Sequence, residues 1–507
     1  MRRRFAMLIT MATVAAVGMT AQPAATAATA GRGQDHGVPT SVEAKALARS
    51  VTSRGILAHE QALARIADHN DEMRASGTPG YEAAARYVAG TLRDAGYTVN
   101  EQRFTFPFYN ELAPPVVDEV SPATASFTTT TFAYSGSGDV TGPLVPTTNV
   151  MVPPAPTPSS SSGCDVADFP PVGPGERPIA LIQRGTCAFE TKVLNAEAAG
   201  YAAVVIFNEG QPGRDQADGG TIGESVGIPV VGMLSYADGA SLYSAAKAGP
   251  VTVHVRTSTQ NDPNATTENI VAESKGGDPR HVLLVHAPLD ALPTGPGINE
   301  DGSGVATALE IAEQIHRLHL NPTYKIRFVF FGAEETRAVR DETGAIGLQG
   351  SYHYVQTLSP AQLGRIYAAI DLDSIGSPNY ARFVFNGDGP AGSVQIQQLF
   401  ENWFTARHLA TEPIEPTTFD GSSLGPLIDA GVPTGGLFGG AADLKTPEEA
   451  ATYGGTAGVS YDACFHQACD DIHNLNPKAL SEFSGAAADV IWRLAAQGLP
   501  PAGAATP

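Results

Sequence analysis

The segment Ile326-Arg-Phe-Val-Phe-Phe331 is an almost unbroken apolar run, and Val282-Leu-Leu-Val-His286 is a second one. A strand with one wet face alternates between apolar and polar residues. Continuous runs of this length therefore read as strands covered on both faces. Between them, Val305, Leu309, Ala312 and Ile315 recur at the spacing of one helix face. Strand, helix and strand in this order require a right-handed crossover, which predicts an α/β fold with a mixed, mostly parallel sheet and helices on both faces. A further strand over Arg365 to Leu372 and a helix over Ala479 to Leu494 extend the pattern.

A chain of 507 residues is too long for one ordinary core. Residues from about Val42 to Gly96 are helical in pattern, with the turn Ser76-Gly-Thr-Pro-Gly80 dividing them, and Thr98 to Phe108 alternates as a strand does. After about Pro122 come threonine runs, the Pro- and Ser-rich stretch 153–163, and short β-type pieces at Ile179–Ile182 and Ala203–Phe207. They predict a small β-rich insertion over 123–258. It lies between an N-terminal part of the main domain, 31–122, and its larger part, 259–497. Residues 498–507, rich in Ala and Pro, are expected to be a disordered tail.

Residues 1–30 read as a secretory signal peptide: Arg2-Arg-Arg4, then an apolar stretch, then Ala28-Thr-Ala30. No later segment is long and apolar enough to span a bilayer, so a secreted, extracellular protein without membrane insertion is expected. The 31 basic against 52 acidic residues, a formal net charge of -21, exclude nucleic acid as a main partner. Cysteines are compatible with that compartment, and local pairing predicts Cys164–Cys187 and Cys464–Cys469. Oligomeric state has no signature in the sequence.

Three successive strands end in carboxylates: Asp290 with Glu300 and Asp301, Glu334 with Glu335, and Asp371 with Asp373. Ligands of open α/β sheets sit beyond the carboxyl ends of the strands. So many negative charges facing one crevice repel one another unless a cation lies among them. His466, between Cys464 and Cys469, adds the nitrogen ligand that suits zinc.

These residues sit in stretches that resemble a known family. Pro296-Gly-Ile-Asn-Glu-Asp-Gly-Ser-Gly304, Phe331-Gly-Ala-Glu-Glu335, Asp373-Ser-Ile-Gly-Ser-Pro-Asn379, Tyr453-Gly-Gly-Thr-Ala-Gly458 and Cys464-Phe-His-Gln-Ala-Cys469 are similar to the secreted bacterial two-zinc aminopeptidases, metallopeptidase family twenty-eight. Arg74-Ala-Ser-Gly-Thr-Pro-Gly-Tyr81 matches that family's N-terminal part. The region from Cys164 through Ile179–Lys192 to Asn195–Gly200 resembles the protease-associated domain often inserted into it.

The resemblance implies a zinc-exopeptidase-like fold and removal of the N-terminal residue from peptides or protein N-termini. It places a bridging carboxylate at Glu300. One zinc then adds Glu335 and His466, and the other adds Asp373 and a histidine two residues before Asp290. Glu334 matches the general base, and Glu334 and Asp373 are placed to meet the substrate's free amine.

This chain departs from the family at several of those positions. The second histidine position holds Pro288, the bridging aspartate is Glu300, and the oxyanion-binding tyrosine is Phe465. The substrate-loop Arg-Ser-Asp is replaced by Gly421-Ser-Ser-Leu-Gly425, and about ten residues are inserted around Thr336 to Ala345. His286, which shares a strand face with Pro288, and Asp290 are weaker ligand candidates. At most one good zinc site is expected. Two readings follow: a zinc aminopeptidase, or a catalytically silent relative that binds peptides or an extracellular partner.

Overall fold

A computed structural model describes residues 40–337, 347–416 and 422–501 of the chain. The expected signal segment and residues 502–507 of the expected tail lie outside them. The helical N-terminal region comprises three helices, Thr40–Ser50, Ser53–Asp68 and Pro79–Asp94, where the sequence pattern predicts two. The extra break is at Thr52, whose hydroxyl accepts the Gly55 N–H at 3.1 Å and starts a new helix.

Strand β1 (Thr98–Ser121) leads through β2 (Ala125–Ser126), β3 (Thr130–Thr131) and β4 (Gly138–Pro146) into the inserted region. That region contains β5 (Ile179–Gln183), β6 (Ala203–Phe207) and β7 (Val230–Leu234), with β4, β5, β6 and β7 successively parallel. The chain returns along β8 (Thr252–Glu273), which pairs antiparallel with β1 from Thr98↔Glu273 to Ser121↔Thr252. Then follow β9 (Asp278–Pro288), β10 (Tyr324–Phe331), β11 (Ile366–Asp373), β12 (Phe383–Phe385), β13 (Glu412–Ile414) and β14 (Thr434–Phe438).

The hydrogen-bonded order is β13-β12-β14-β11-β9-β10-β8-β4-β5-β6-β7-β3. In its first part β10, β9, β11 and β14 are parallel neighbours, as the two apolar runs predict. The 258/259 boundary expected from composition falls inside β8, which belongs to both halves of the strand order.

The unbroken apolar runs are explained by two cores. Leu283, Val285, Ile326, Phe328 and Phe330 join the helices Gly302–Arg317 and Pro477–Gln497 on one face. Val282, Leu284, Val329 and Phe331 pack with Tyr354, Leu424 and Leu427 on the other. Both faces are dry, so neither needs polar residues. A Cβ on Gly304 would collide with the Leu372 carbonyl, so glycine lets the Gly302–Arg317 helix start directly against β11. Both disulfides, Cys164–Cys187 and Cys464–Cys469, are formed. Among the described residues no helix is long and apolar enough to cross a membrane.

Candidate metal centre at the strand ends

The loop after β9 is held from below by a buried cation. Arg74, fully excluded from solvent, donates from Nε to the Pro296 carbonyl at 2.8 Å, from Nη1 to Leu289 at 2.5 Å, and from Nη2 to Gly297. Three peptide carbonyls thus converge on one guanidinium and fix the course of residues 289–297. At the far end of the loop Asp470 accepts the amides of Asn299 and Glu300, at 2.9 and 3.0 Å. Asp301 caps the following helix through the Gly304 N–H at 3.1 Å and takes the Ser374 N–H at 3.0 Å, tying the loop to the end of β11.

Glu300, Glu335 and His466 each present a ligand atom within 4.8 Å of the other two. His466 Nε2 lies 3.0 Å from Glu335 Oε2, yet it is buried and lacks hydrogen-bond alignment with any partner. Its loop is closed by the Cys464–Cys469 disulfide, and its carbonyl accepts the Thr294 hydroxyl at 2.9 Å. Phe465 stacks on the His466 ring with centroids 3.8 Å apart, so it meets the site as an apolar plate with no hydroxyl.

Asp373 borders this group. The Ser374 hydroxyl contacts both Glu300 Oε2 and Asp373 Oδ1. One hydroxyl carries one proton, so it cannot donate to two carboxylates at once, and the pair needs either a proton on one carboxyl or a cation between them. Burial, followed by the charges of Asp373 and Glu335, holds the Glu300 carboxyl well above the ordinary carboxylate range. Asp373 is pushed up to about 6, chiefly by burial. An unpartnered imidazole nitrogen among crowded carboxylates is the donor set that a divalent zinc ion satisfies.

Glu334 stands beside the group. Its Oε1 accepts the Ser351 N–H at 2.7 Å and its Oε2 the Ser423 hydroxyl at 2.6 Å, and burial pushes it up to about 7. The Glu334 and Glu335 amides donate to the two oxygens of Asp290 at 3.1 and 3.3 Å.

Asp290 is thereby occupied as an anchor for the glutamate pair, and the structure does not bring it into the ligand group. Nor does it bring in His286. That ring lies 3.3 Å from Asp371 in the dry interior, without the alignment of a hydrogen bond, and burial drives it down to about 3, so it is neutral. Pro288 ends β9 opposite Phe331 and offers no donor.

Among the described residues a second group of ligand type, His59 with Glu310 and Glu313, is already engaged: His59 Nδ1 with the Tyr87 hydroxyl at 2.6 Å, Glu310 with Gln314 at 3.0 Å.

Of the replaced substrate loop, Ser422 and Ser423 are described, and they bond Asp371 at 3.2 Å and Glu334. Gly421 and inserted residues 338–345 lie outside the described residues. Sequence reasoning gave no role to Arg74, Ser374 or Asp470. Apart from Asp373 beside Ser374 and Asn474 near Asp470, their side-chain partners lie 70 to more than 200 positions away, and no spacing rule links them.

Residues 269–491 match the model of Peptidase family M28, and residues 140–242 match the PA domain. An aminopeptidase of Pseudomonas aeruginosa is 39% identical over 463 residues, covering 88% of this chain and 81% of that relative. A probable leucine aminopeptidase 2 of Aspergillus fumigatus is 34% identical over 421 residues, covering 80% of this chain and 76% of that relative. In fold, the chain is similar to BSAP, a zinc aminopeptidase from Bacillus subtilis, with a TM-score of 0.60 and 23% identity over 88% of this chain and 96% of that one. Zinc-type ligands at parallel strand ends, an inserted PA domain and relatives matched over most of their length lead to one assignment: the chain belongs to peptidase family M28.

Proposed function

We propose that this protein is an exported aminopeptidase that removes N-terminal residues from peptides with a single zinc ion. The observation that carries the reading is the convergence of Glu300, Glu335 and His466 within 4.8 Å, with Glu334 buried beside them. Zinc held by those three side chains supplies Lewis acidity for peptide hydrolysis. Glu334, fixed at both oxygens by Ser351 and Ser423, takes a proton from the attacking water and returns it to the leaving amine. The carboxylate of Asp373 pairs with the free ammonium of the substrate, which selects N-termini over internal bonds.

Two features support one ion over two. Pro288 provides no ligand, and the Ser374 hydroxyl sits between Asp373 and Glu300. Phe465 leaves the oxyanion without a phenol donor; loss of one such donor slows catalysis by ~100-fold to ~1000-fold without abolishing it. The basic-then-apolar character of residues 1–30 supports export.

The test is zinc content of the purified protein together with cleavage of a leucine anilide. One zinc per chain and zinc-dependent cleavage are expected. Two bound ions would refute the single-zinc reading. Bound zinc without cleavage would favour the silent, peptide-binding relative that Pro288 and Phe465 also suit.

A further inference from the structure

Glu335 and Asp290 line a cavity of about 300 Å³ whose lining does not include Asp373. Its opposite wall is supplied by β1 and by the inserted domain. Phe106 and Phe108 meet edge to face at 6.5 Å, and Tyr109 lies 5.3 Å from Tyr134. The Tyr134 hydroxyl donates to the Pro107 carbonyl at 2.9 Å, locking the inserted domain's ring against β1.

Several of the polar groups around this space are already engaged. Glu111 accepts the Thr131 hydroxyl at 2.9 Å, Ser76 accepts the Ala333 N–H at 2.7 Å, and Asp290 holds the glutamate pair. The aromatic surface of Phe106, Phe108 and Tyr109 remains for recognition, together with the Tyr109 and Thr336 hydroxyls and the exposed Arg337 side chain. A volume at the lower end of the ~300–1,000 Å³ of small-molecule sites suits one large side chain.

The strand order gives the direction of a bound peptide. Asp373 ends β11, β9 lies next to it, Glu335 follows β10 beyond β9, and β8 with its partner β1 comes after that. Glu335 belongs both to the ligand group and to the cavity lining, so a peptide whose ammonium is at Asp373 and whose first carbonyl is at the Glu300–Glu335–His466 group continues from Glu335 toward the cavity.

We propose that this cavity, walled jointly by β1 and the inserted domain, receives the side chain of the residue that follows the cleaved bond and selects large aromatic or apolar ones. The proposal rests on the aminopeptidase reading above. It gives the insertion a part in specificity, with Phe108 and Tyr109 as specificity residues and the buried Tyr134 as the positioning residue behind them.

The experiment compares kcat/KM for Leu-Phe amide, Leu-Ala amide and Leu-Gly amide with the full zinc-loaded chain. Wild type is expected to prefer Phe over Ala at the second position by at least about tenfold. Two variants test the wall. Phe108→Ala removes it. Gly219→Trp fills the space from an exposed loop, where an added Cβ would lie in ordinary contact, 3.7 Å from the Thr130 hydroxyl. Both are expected to reduce the preference to under about threefold, while Leu-Gly amide hydrolysis by Gly219→Trp stays within twofold of wild type.

Equal rates for the three substrates in wild type, or a change in preference for the first residue instead of the second, would overturn the proposal. If no peptide is cleaved, the hydrolytic reading falls separately, and calorimetric Kd values for Leu-Phe and Leu-Ala amides decide the cavity: equal affinities overturn it.

Discussion

Asp470→Asn is the sharpest probe of how the metal group is held. Asp470 Oδ1 accepts both the Asn299 N–H at 2.9 Å and the Asn474 side-chain amide at 2.9 Å, whereas Oδ2 accepts only the Glu300 N–H at 3.0 Å. An asparagine has one acceptor oxygen, and it loses least by keeping that oxygen toward the two donors. Its amino group then faces the Glu300 N–H, donor against donor, at the peptide that carries a zinc ligand. One charge-assisted bond is lost and two weaken to neutral strength, a cost of about 2 to 4 kcal/mol.

Removing a partner that orients a ligand typically lowers metal affinity ~10-fold to ~100-fold. Zinc affinity of the variant is therefore expected to fall in that range, measured at pH 8 by competition with a chromophoric chelator. Unfolding of the zinc-free variant is expected about 2 to 4 °C lower, since a chain of this length shifts by about 1 °C per kcal/mol. Unchanged zinc affinity with a lowered midpoint would refute the reasoning, because the loop would then be loosened without moving a ligand.

Replacing Cys464 and Cys469 by serine opens a loop whose ends are 5 positions apart. A loss of about 2 kcal/mol is expected from chain entropy, together with weaker zinc binding through His466; an unaltered zinc Kd would show that the disulfide does not place that ring. Lys192 in the inserted domain is fully buried, donates to the Ser162 carbonyl, and is pushed by burial down to about 8. The unfolded chain holds this proton up to about pH 10.4, so between pH 8 and 10 it binds more protons than the folded one, and stability rises with pH through this group. Lys192→Met is expected to flatten the wild-type slope of unfolding free energy over that window, and identical slopes in denaturant titrations at pH 8, 9 and 10 would contradict it.

The parallel core was legible because β9 and β10 are dry on both faces and so carry unbroken apolar runs. β8 was not legible as one element. Its burial alternates irregularly, Asn261, Pro263 and Asn264 interrupt any strand pattern, and a composition change at about 258 looks like a boundary. Glu300, Glu335 and His466 were recognisable from local motifs, and the structure brings them together. What holds them was not recognisable: Arg74 finds its acceptors more than 210 positions away, and Asp470 holds an amide 170 positions back. Such contacts depend on the tertiary path, which residue spacing does not encode. Asp290, a weaker ligand candidate in the sequence, is tied by two amides because the glutamate pair needs an acceptor there.

The β1–β8 pairing has a consequence for how such a chain can be built. The inserted domain leaves along β1 and comes back along β8, so its two connections are neighbouring strands, with partners such as Phe106 and Ala265 only about 5 Å apart. Anything inserted there joins the host as an enlarged hairpin turn, with no crossover interrupted. Excising the residues between that pair and closing the gap with a short turn would preserve the host's strand register. The peptidase core can therefore gain, exchange or lose its insertion as a cassette, and the metal-bearing strand ends need not be rebuilt each time.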